Sequence, residues 1–254
     1  MSNSIPRNTS DLRNWGLNSL RFTFFSDTPQ QVAGADLFGD FFGLSPDAET
    51  HRRAEFLSEF SAEKGAVIYQ TIIAGPKVDF VVSVGLSPEI AQTGFPVLPP
   101  EGNFERRFSE VAQNLITKAK PNITRIALGA HYVHLVPDKE VGYSILTEYV
   151  AGLRLDSTCS DFQYRINRPR TVSCAGEDIR FNRLSTWGCL SLKLGVVTGG
   201  MSSHSTIGSA VSVITDVSSV PELNFSGLRA DVKTSATSQL FALTQEIPQV
   251  GDVA

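Results

Sequence analysis

The chain has 254 residues, of which 41% are hydrophobic and 19% charged, and its formal net charge is −4. This length suits one large domain or two small ones, and the apolar content is sufficient for a buried core. Proteins that bind nucleic acid along its phosphate backbone usually carry a basic excess, so a nucleic-acid role here would need a local basic patch.

The cysteines and the N-terminus point to the cytoplasm. Cys159, Cys174 and Cys189 are widely and equally spaced, without the close pairs of a zinc site, and an odd number does not suit a disulfide framework. The first residues, MSNSIPRNTSDLRNW, contain no apolar core of a signal peptide. No stretch approaches the roughly 20 apolar residues of a membrane span. We therefore expect a cytoplasmic protein with reduced thiols that does not contact membranes.

The first half of the sequence predicts strands and helices in alternation. Residues 1–18 are polar and are expected to form a flexible arm. Aromatic and β-branched runs indicate strands, and apolar residues that recur three or four positions apart indicate helices. The predicted elements are a strand over Leu20–Ser26, a helix over Val32–Phe42, a further helix in the polar stretch up to Lys64, a hairpin of Ala66–Gly75 and Val78–Gly85, and a helix over Phe104–Ala119.

The second half repeats much of this order. Its predicted elements are a strand over Ile123–Val136, a helix over Gly142–Leu153, a hairpin of strands over Asp161–Arg168 and Ile179–Val197, a Gly/Ser loop over Thr198–Ser209, a strand over Ala210–Val217 and a helix over Gly227–Ile247. The halves, residues 19–120 and 121–254, thus share the order β-α-β-β-α, with one extra strand in the second. We predict an α+β fold in which two β-α-β-β-α-like halves form a largely antiparallel sheet, with helices packed on one face, as one compact unit.

The most basic segment is a predicted hairpin between residues 162 and 187, in which the dipeptide Asn-Arg occurs on both arms. The arginine fork binds phosphate or carboxylate groups with two hydrogen bonds, and asparagine can add amide contacts. The segment is therefore a candidate site for an anionic partner. The candidate residues are Arg165, Asn167, Arg168, Arg170, Arg180, Asn182, Arg183 and Trp187.

The same dipeptides also have a purely structural interpretation. Because alternate side chains of a strand share a face, Arg168 and Arg183 each end a row that is otherwise apolar. Each guanidinium can then pair with a carboxylate elsewhere in the fold, such as Asp79 or Asp231, while the asparagines bond to backbone at the strand ends. The sequence alone leaves both interpretations open.

No arrangement of residues in the sequence predicts catalysis. His131 and His134 lie three apart on a predicted strand, so they point to opposite faces and cannot share a metal ion. His204 stands among serines, but in a predicted loop, where a Ser-His pair lacks the support that a nucleophile needs. The phosphate-loop, dinucleotide and nucleophile-elbow motifs are absent from the sequence. We expect no enzyme, no cofactor and no bound metal.

Three stretches of the C-terminal half carry a resemblance. They are ITRIALGAHYVHLVPD, the hairpin segments INRPR and FNRLSTWG, and LNFSGLRADVKTSA, which contains Asp231, Val232 and Thr234. These stretches resemble a sporadically distributed bacterial family of uncharacterised proteins, the TIGR04255 type, and the last one is similar to its closing Asp-Val/Ile-x-Thr pattern. The family has no established activity to carry over. The resemblance implies a bacterial accessory protein of the kind found near defence or toxin–antitoxin genes.

These observations lead to two functional expectations. The first is a non-enzymatic, protein-binding accessory protein, such as a subunit or antitoxin-like component of a bacterial defence or toxin–antitoxin system. The alternative is a nucleic-acid-binding protein that grips phosphates with the arginines of the hairpin and stacks bases on Tyr164, Phe181 and Trp187. A homodimer is also expected, because long hairpins have edges that a second copy can cover.

Overall fold

The computed structural model describes residues 15–28, 34–85, 96–118, 122–156, 158–159, 162–198, 201–221 and 223–252. Residues 1–14 of the expected flexible arm lie outside this range, and the first strand already begins at Gly16. The strands are β1 (Gly16–Ser26), β2 (Ala48–Arg52), β3 (Leu57–Lys64), β4 (Val67–Ala74), β5 (Lys77–Val84), β6 (Ile123–Val136), β7 (Gln163–Asn167), β8 (Arg170–Cys174), β9 (Glu177–Thr198) and β10 (Met201–Ser219). The α-helices of the described residues are α1 (Gly34–Phe42), α2 (Phe104–Lys118), α3 (Lys139–Tyr149) and α4 (Ala230–Val250).

All ten strands belong to one antiparallel sheet. Their order across the sheet is β2-β3-β4-β5-β1-β6-β10-β9-β7, and β8 pairs with β9 along the same edge as β7. β1 and β6 form the central pair, with Leu20 opposite Ala130. The other strands of the first half, β2 to β5, lie on the β1 side of this pair, and those of the second half, β7 to β10, lie on the β6 side.

The predicted pair of β-α-β-β-α halves is wrong. In each half the central strand is followed by a helix, then by four strands, and then by a second helix, whereas two strands were predicted at this point in the first half and three in the second. The described chain is dominated by its ten-stranded sheet, so the balanced α+β assignment is wrong as well. Because neighbouring strands are antiparallel, short turns connect many of them, and helices occupy only the longer connections.

The polar stretch before Lys64 is predicted to be helical and instead forms β2 and β3. Its Ala, Glu and Lys residues favour a helix on propensity alone. Phe60 and Ala62, however, stand two residues apart, which is the period of a strand, and both are buried in a cluster with Phe38 of α1. Burial against α1 therefore outweighs the helix propensity of this stretch.

The Gly/Ser stretch after residue 197 is predicted to be a loop and is instead mostly strand. β9 and β10 pair along their length up to Thr198 and Met201, and residues 199 and 200 between them lie outside the described range. His204 is therefore on β10, opposite Gly195, and not in a loop. Since β6 pairs with β10 no further than Ser209, the distal part of this hairpin extends beyond the neighbouring strand.

The four described α-helices pack on one face of the sheet and share one hydrophobic core with it. Phe41 of α1 stacks on Phe80 of β5, with ring centroids 3.9 Å apart, and Phe108 of α2 meets Phe41 edge-on. Leu146 of α3 and Leu240 of α4 are completely buried. Burying a side chain of this size contributes on the order of 1.5–3 kcal/mol. No described helix covers the opposite side of the sheet. This uncovered side is the open face of the sheet.

Candidate binding surface on the open face of the sheet

The basic hairpin divides into two sets of arginines on opposite faces. Ala175 and Gly176, both with positive φ (48° and 87°), form the two-residue turn that joins β8 to β9 and sets their register. Alternation along the strands then separates the side chains. The helix-covered face carries Arg168, Arg170 and Arg183, and the open face carries Arg165 and Arg180.

Arg168 is paired with Asp252, two residues beyond the end of α4. Its Nε and Nη2 donate to Oδ1 and Oδ2 of Asp252 at 2.6 and 3.0 Å, and the Tyr164 hydroxyl donates to Oδ2 at 2.9 Å. The hydrogen bond to Asp252 raises the pKa of Arg168, while burial and then the same carboxylate raise the pKa of Tyr164. The Asp252 side chain is only 3% exposed. This contact therefore ties the corner between β7 and β8 to the C-terminal end of α4.

Arg170 and Arg183 share one carboxylate, that of Glu246 in α4. Nη1 of Arg170 donates to both oxygens of Glu246, at 2.9 and 2.7 Å, and Nη2 of Arg183 lies 3.6 Å from Oε1. The Arg183 side chain is 3% exposed, and this burial lowers its pKa although the carboxylate acts in the opposite direction. Three of the five arginines are thus already paired with acids of the C-terminal segment.

The two asparagines fasten β7 to β9. Oδ1 of Asn167 accepts the backbone N–H of Arg183 at 2.9 Å, and Nδ2 of Asn167 donates to Oδ1 of Asn182 at 3.3 Å. These bonds lie where β7 ends and the chain turns toward β8. The geometry of both Asn-Arg dipeptides therefore favours the structural interpretation over an anion site.

The acids that the sequence suggests as partners of the hairpin lie elsewhere. Asp79 accepts a hydrogen bond from Thr23 at 2.5 Å and pairs with Lys77 at 2.6 Å. Asp231 pairs with Arg229 at 3.2 Å, at the start of α4. The suggestion that either acid holds the hairpin is therefore wrong. The actual partners are separated from their arginines by 76 and 84 residues, and no local sequence pattern marks such pairs.

The aromatic residues of the hairpin are on the helix-covered face. Trp187 is 0% exposed, donates from Nε1 to the Ser185 hydroxyl at 3.0 Å and packs edge-on against Trp15. Phe181 is also 0% exposed, and the hydroxyl of Tyr164 is bonded to a buried carboxylate. Bases of a nucleic acid cannot stack on rings that the helices cover, so the nucleic-acid alternative lacks its stacking surface.

On the open face, Arg165 and Arg180 extend into solvent. Both residues are exposed, and neither forms an ion pair within the part of the chain that the structure describes. Arg165 stands opposite Thr186 of β9, and Arg180 opposite Thr171 of β8. Of the arginines predicted to bind a partner, these two remain available.

Three large apolar side chains are exposed on the same face. Leu135, Ile214 and Leu190 are 52%, 50% and 39% exposed. Ala210 of β10 stands directly between Leu135 of β6 and Leu190 of β9, and Ile214 lies further along the same strand as Ala210. The open-face patch is defined here as Leu135, Leu190 and Ile214 together with Arg165 and Arg180.

Two further arginines of the open face are engaged beside this patch. Arg21 of β1 reaches Asp216 of β10 at 3.5 Å, and it passes over Gly129 of β6, where a Cβ would stand 3.2 Å from Nη2. The guanidinium of Arg125 lies 5.0 Å from the centroid of the Phe25 ring, a cation–π contact. These contacts distinguish both residues from the exposed arginines of the patch.

The two histidines of β6 point to opposite faces, as alternation predicts. On the open face, Nδ1 of His131 lies 3.0 Å from Oδ1 of Asn18, and its Nε2 lies 2.8 Å from the Ser212 hydroxyl. Burial lowers the pKa of His131, which favours the neutral ring. The His134 ring lies 5.7 Å from the Trp15 ring on the helix-covered face. The two imidazoles therefore cannot share one metal ion.

Sequence reasoning did not identify the apolar members of the patch. Leu135 and Ile214 belong to the runs HYVHLV and VSVITDV, which are typical of buried strands. The available signal for Ile214 was alternation, because Ser212 and Asp216 stand two positions away on either side, and polar neighbours at every second position indicate a face that is not fully buried. Leu135 lacks this signal, since the residue two positions before it is the buried Val133.

Comparison with known proteins does not place the chain in a family. No model of a protein family matches it, and no curated protein matches it. The resemblance to the bacterial family therefore stays a prediction. Within the described residues, no helix is both long enough and apolar enough to cross a membrane.

Proposed function

We propose that the protein is a non-enzymatic accessory protein that binds a protein partner through the open-face patch. The observation that carries this proposal is the exposure of Leu135, Leu190 and Ile214 on a sheet face that no described helix covers. Single exposed apolar residues are common, but a group of them on one face is typical of an interaction surface. A sheet face is also rigid, so a partner meets a preformed surface.

The arginines of the patch define the chemistry of the partner. Arg165 and Arg180 rise from the same face as the apolar side chains and form no ion pair among the described residues. A partner that covers the patch would meet these guanidiniums with carboxylates, which can accept two hydrogen bonds from each fork. The partner that fits best is a protein surface with an apolar centre and an acidic rim.

A nucleic-acid partner is supported less well. Phe181 and Trp187 are buried, and Arg168 is paired with a carboxylate, so neither the stacking surface nor the full arginine cluster is available. The net charge of −4 also disfavours a long phosphate backbone. Nuclease treatment in the experiment therefore distinguishes a nucleic-acid partner from a protein partner.

The test is affinity capture from a lysate of the natural host, with and without nuclease. Tagged wild-type protein is compared with Leu135→Glu/Ile214→Glu and with Arg165→Glu/Arg180→Glu. The control is Val141→Glu, because Val141 is 40% exposed but belongs to α3, on the other side of the sheet. Circular dichroism and thermal unfolding establish that each variant is folded.

We expect wild type to capture a stoichiometric protein partner whether or not nuclease is added. Val141→Glu should bind this partner as wild type does, and each double variant should bind it with about tenfold or more lower affinity. Equal binding by the control and both double variants would place the partner elsewhere and overturn the proposal. Captured material that disappears with nuclease and with salt would establish nucleic-acid binding instead.

A further inference from the structure

The outer edge of β2 is a second exposed surface, far from the open-face patch. β2 is the first strand in the order of the sheet, and all five of its residues, Ala48–Arg52, are exposed. Among the described strands, only β3 pairs with it. The outward backbone N–H and C=O groups of β2 are therefore available to an added strand.

The charges along this edge reverse at its centre. The sequence from Asp47 to Arg53 is DAETHRR, which is acidic before Thr50 and basic after it. If a second copy pairs antiparallel about Thr50, Glu49 lies opposite His51 of the second copy, and Asp47, just before the strand, falls at the same end as Arg53 of the second copy, just after it. A parallel arrangement in register would instead place each charged residue opposite its own copy, and an antiparallel shift by two residues would place His51 or Glu49 opposite itself. The edge is thus complementary to itself in the antiparallel arrangement about Thr50.

The side chains of this edge are free to exchange partners. Within one copy, Oε2 of Glu49 and Nε2 of His51 are 3.8 Å apart, and both side chains are about half exposed. Arg52 lies 3.6 Å from Glu55, again between exposed groups. Exposed pairs at these distances contribute little stability, so a strand from a second copy can replace them with its own charges.

Phe56, the residue before β3, is a second feature that favours a contact surface at the β2 edge. Phe56 is 81% exposed and has a φ of 50°, in the left-handed region that an aromatic residue rarely adopts. It lines a surface hollow of about 710 Å³ together with His51, Arg53 and Ile73. Strained backbone that is retained at an exposed aromatic residue is typical of a functional surface. The hollow adjoins the open edge, so Phe56 offers the added strand an apolar contact.

We propose that two copies of the chain associate through β2, antiparallel about Thr50, and so join their sheets into one. The contact is isologous, so each ion pair occurs twice across the twofold axis. A strand of five residues forms a small interface, and the dimer is therefore in equilibrium with the monomer at ordinary concentrations. Because the charges are exposed, the association weakens as salt is added. The proposal does not depend on the function proposed above, since the two surfaces are separate.

The test is a charge-swap experiment on the full chain by sedimentation velocity. Asp47→Arg/Glu49→Lys makes the strand basic, and His51→Glu/Arg53→Glu makes it acidic. We expect wild type to form dimers, each variant alone to remain monomeric, and an equal mixture of the two to form a mixed dimer. A fluorescent label on one variant identifies the mixed species. Wild type that stays monomeric at high concentration, or variants that each dimerise as wild type does, would overturn the proposal.

Asp47 also accepts the backbone N–H of Glu63 at 3.1 Å, so its replacement can weaken the fold. The single variants Glu49→Lys and His51→Glu form a second pair that leaves this bond intact, and they should show the same loss and the same rescue on mixing.

A cysteine at the twofold axis tests the register. Thr50→Cys should form a disulfide-linked dimer under mild oxidation, because the Cβ atoms of directly opposed residues approach to about 4.5 Å, which is within reach of a disulfide. Thr171→Cys is the matched control, since Thr171 is an exposed threonine on β8, at the other edge of the sheet. Oxidation of the wild-type protein under the same conditions measures any disulfide-linked dimer that forms through the native cysteines. Cross-linking of the control but not of Thr50→Cys would contradict the proposed pairing.

Discussion

The carboxylate of Asp252 accepts both hydrogen bonds of the Arg168 fork, at 2.6 and 3.0 Å, and so joins residues that are 84 positions apart in the chain. The backbone N–H of Asp252 also donates to the carbonyl of Tyr149 at 2.8 Å, which anchors it to the end of α3. The C-terminal segment is therefore held by β7 and by α3 at once. The stability of the edge of the sheet should depend on these contacts.

Asp252→Asn should lower the free energy of unfolding by about 2 kcal/mol, because it removes a charged acceptor of several hydrogen bonds from a buried position. Urea unfolding measures the change. The control is Asp178→Asn in the same hairpin, where the carboxylate is exposed and forms no ion pair in the described structure; its effect should stay within about 0.5 kcal/mol. Equal losses in both variants would show that the Arg168–Asp252 contact contributes nothing specific.

Gly251→Ala should be more damaging than an ordinary glycine substitution. Gly251 has a φ of 80°, and a Cβ there would lie 2.4 Å from the backbone oxygen of Tyr149, which cannot move aside easily. We expect a loss of about 3 kcal/mol. Gly43→Ala is the control, because Gly43 has a φ of 67° with open space around it, so only the backbone strain of about 1 kcal/mol applies. Thermal or urea unfolding that ranks the two equally would contradict this prediction.

His131 should make the protein less stable in mild acid. Burial lowers its pKa in the folded state, so the unfolded chain binds a proton more readily than the folded chain does. The free energy of unfolding should therefore fall as the pH drops below the ordinary histidine value of about 6.5, with a slope of at most about 1.4 kcal/mol per pH unit.

Urea unfolding across this pH range, repeated with His131→Gln, measures the effect of that residue. The glutamine can still bond to Asn18 and Ser212 but cannot titrate, so the variant should have a shallower slope. An unchanged slope would mean that His131 is not responsible.

Phe56→Asn should stabilise the isolated chain. Phe56 is 81% exposed, so its replacement forfeits little burial, and asparagine tolerates the left-handed conformation better than phenylalanine does. We expect a gain of about 0.5 kcal/mol, measured by urea unfolding at low protein concentration. A clear loss of stability would show that the ring packs against the monomer. At high concentration the same variant should dimerise less than wild type.

Local periodicity predicted much of the secondary structure. The strand Ile123–Val136, the helix that begins at Phe104 and the hairpin between residues 66 and 85 are confirmed with little or no change of bounds. Alternation also placed Arg168 and Arg183 each at the end of an otherwise apolar row and the two histidines of β6 on opposite faces, and both assignments are confirmed. These properties follow from the geometry of a single strand or helix, which neighbouring residues determine.

Predictions failed where burial by distant elements outweighed local composition. The Ala- and Glu-rich stretch before Lys64 has residues that favour a helix, yet it pairs as two strands because Phe60 and Ala62 are buried beneath α1. The Gly/Ser stretch has residues typical of a loop, yet it pairs with β9 over almost its full length. Cross-strand pairing is a contact between segments, and composition within one segment does not contain it.

The sequence by itself determined which side chains share a face, which segments are amphipathic, and that the charge along β2 reverses at Thr50. Only the tertiary structure decided which face the helices cover. It thereby decided that Arg168, Arg170 and Arg183 are paired inside while Arg165 and Arg180 are exposed. The physical reason is that alternation is a property of the local backbone. Burial and ion pairing require segments 76 or 84 residues apart to meet, and that depends on the free energy of the whole fold.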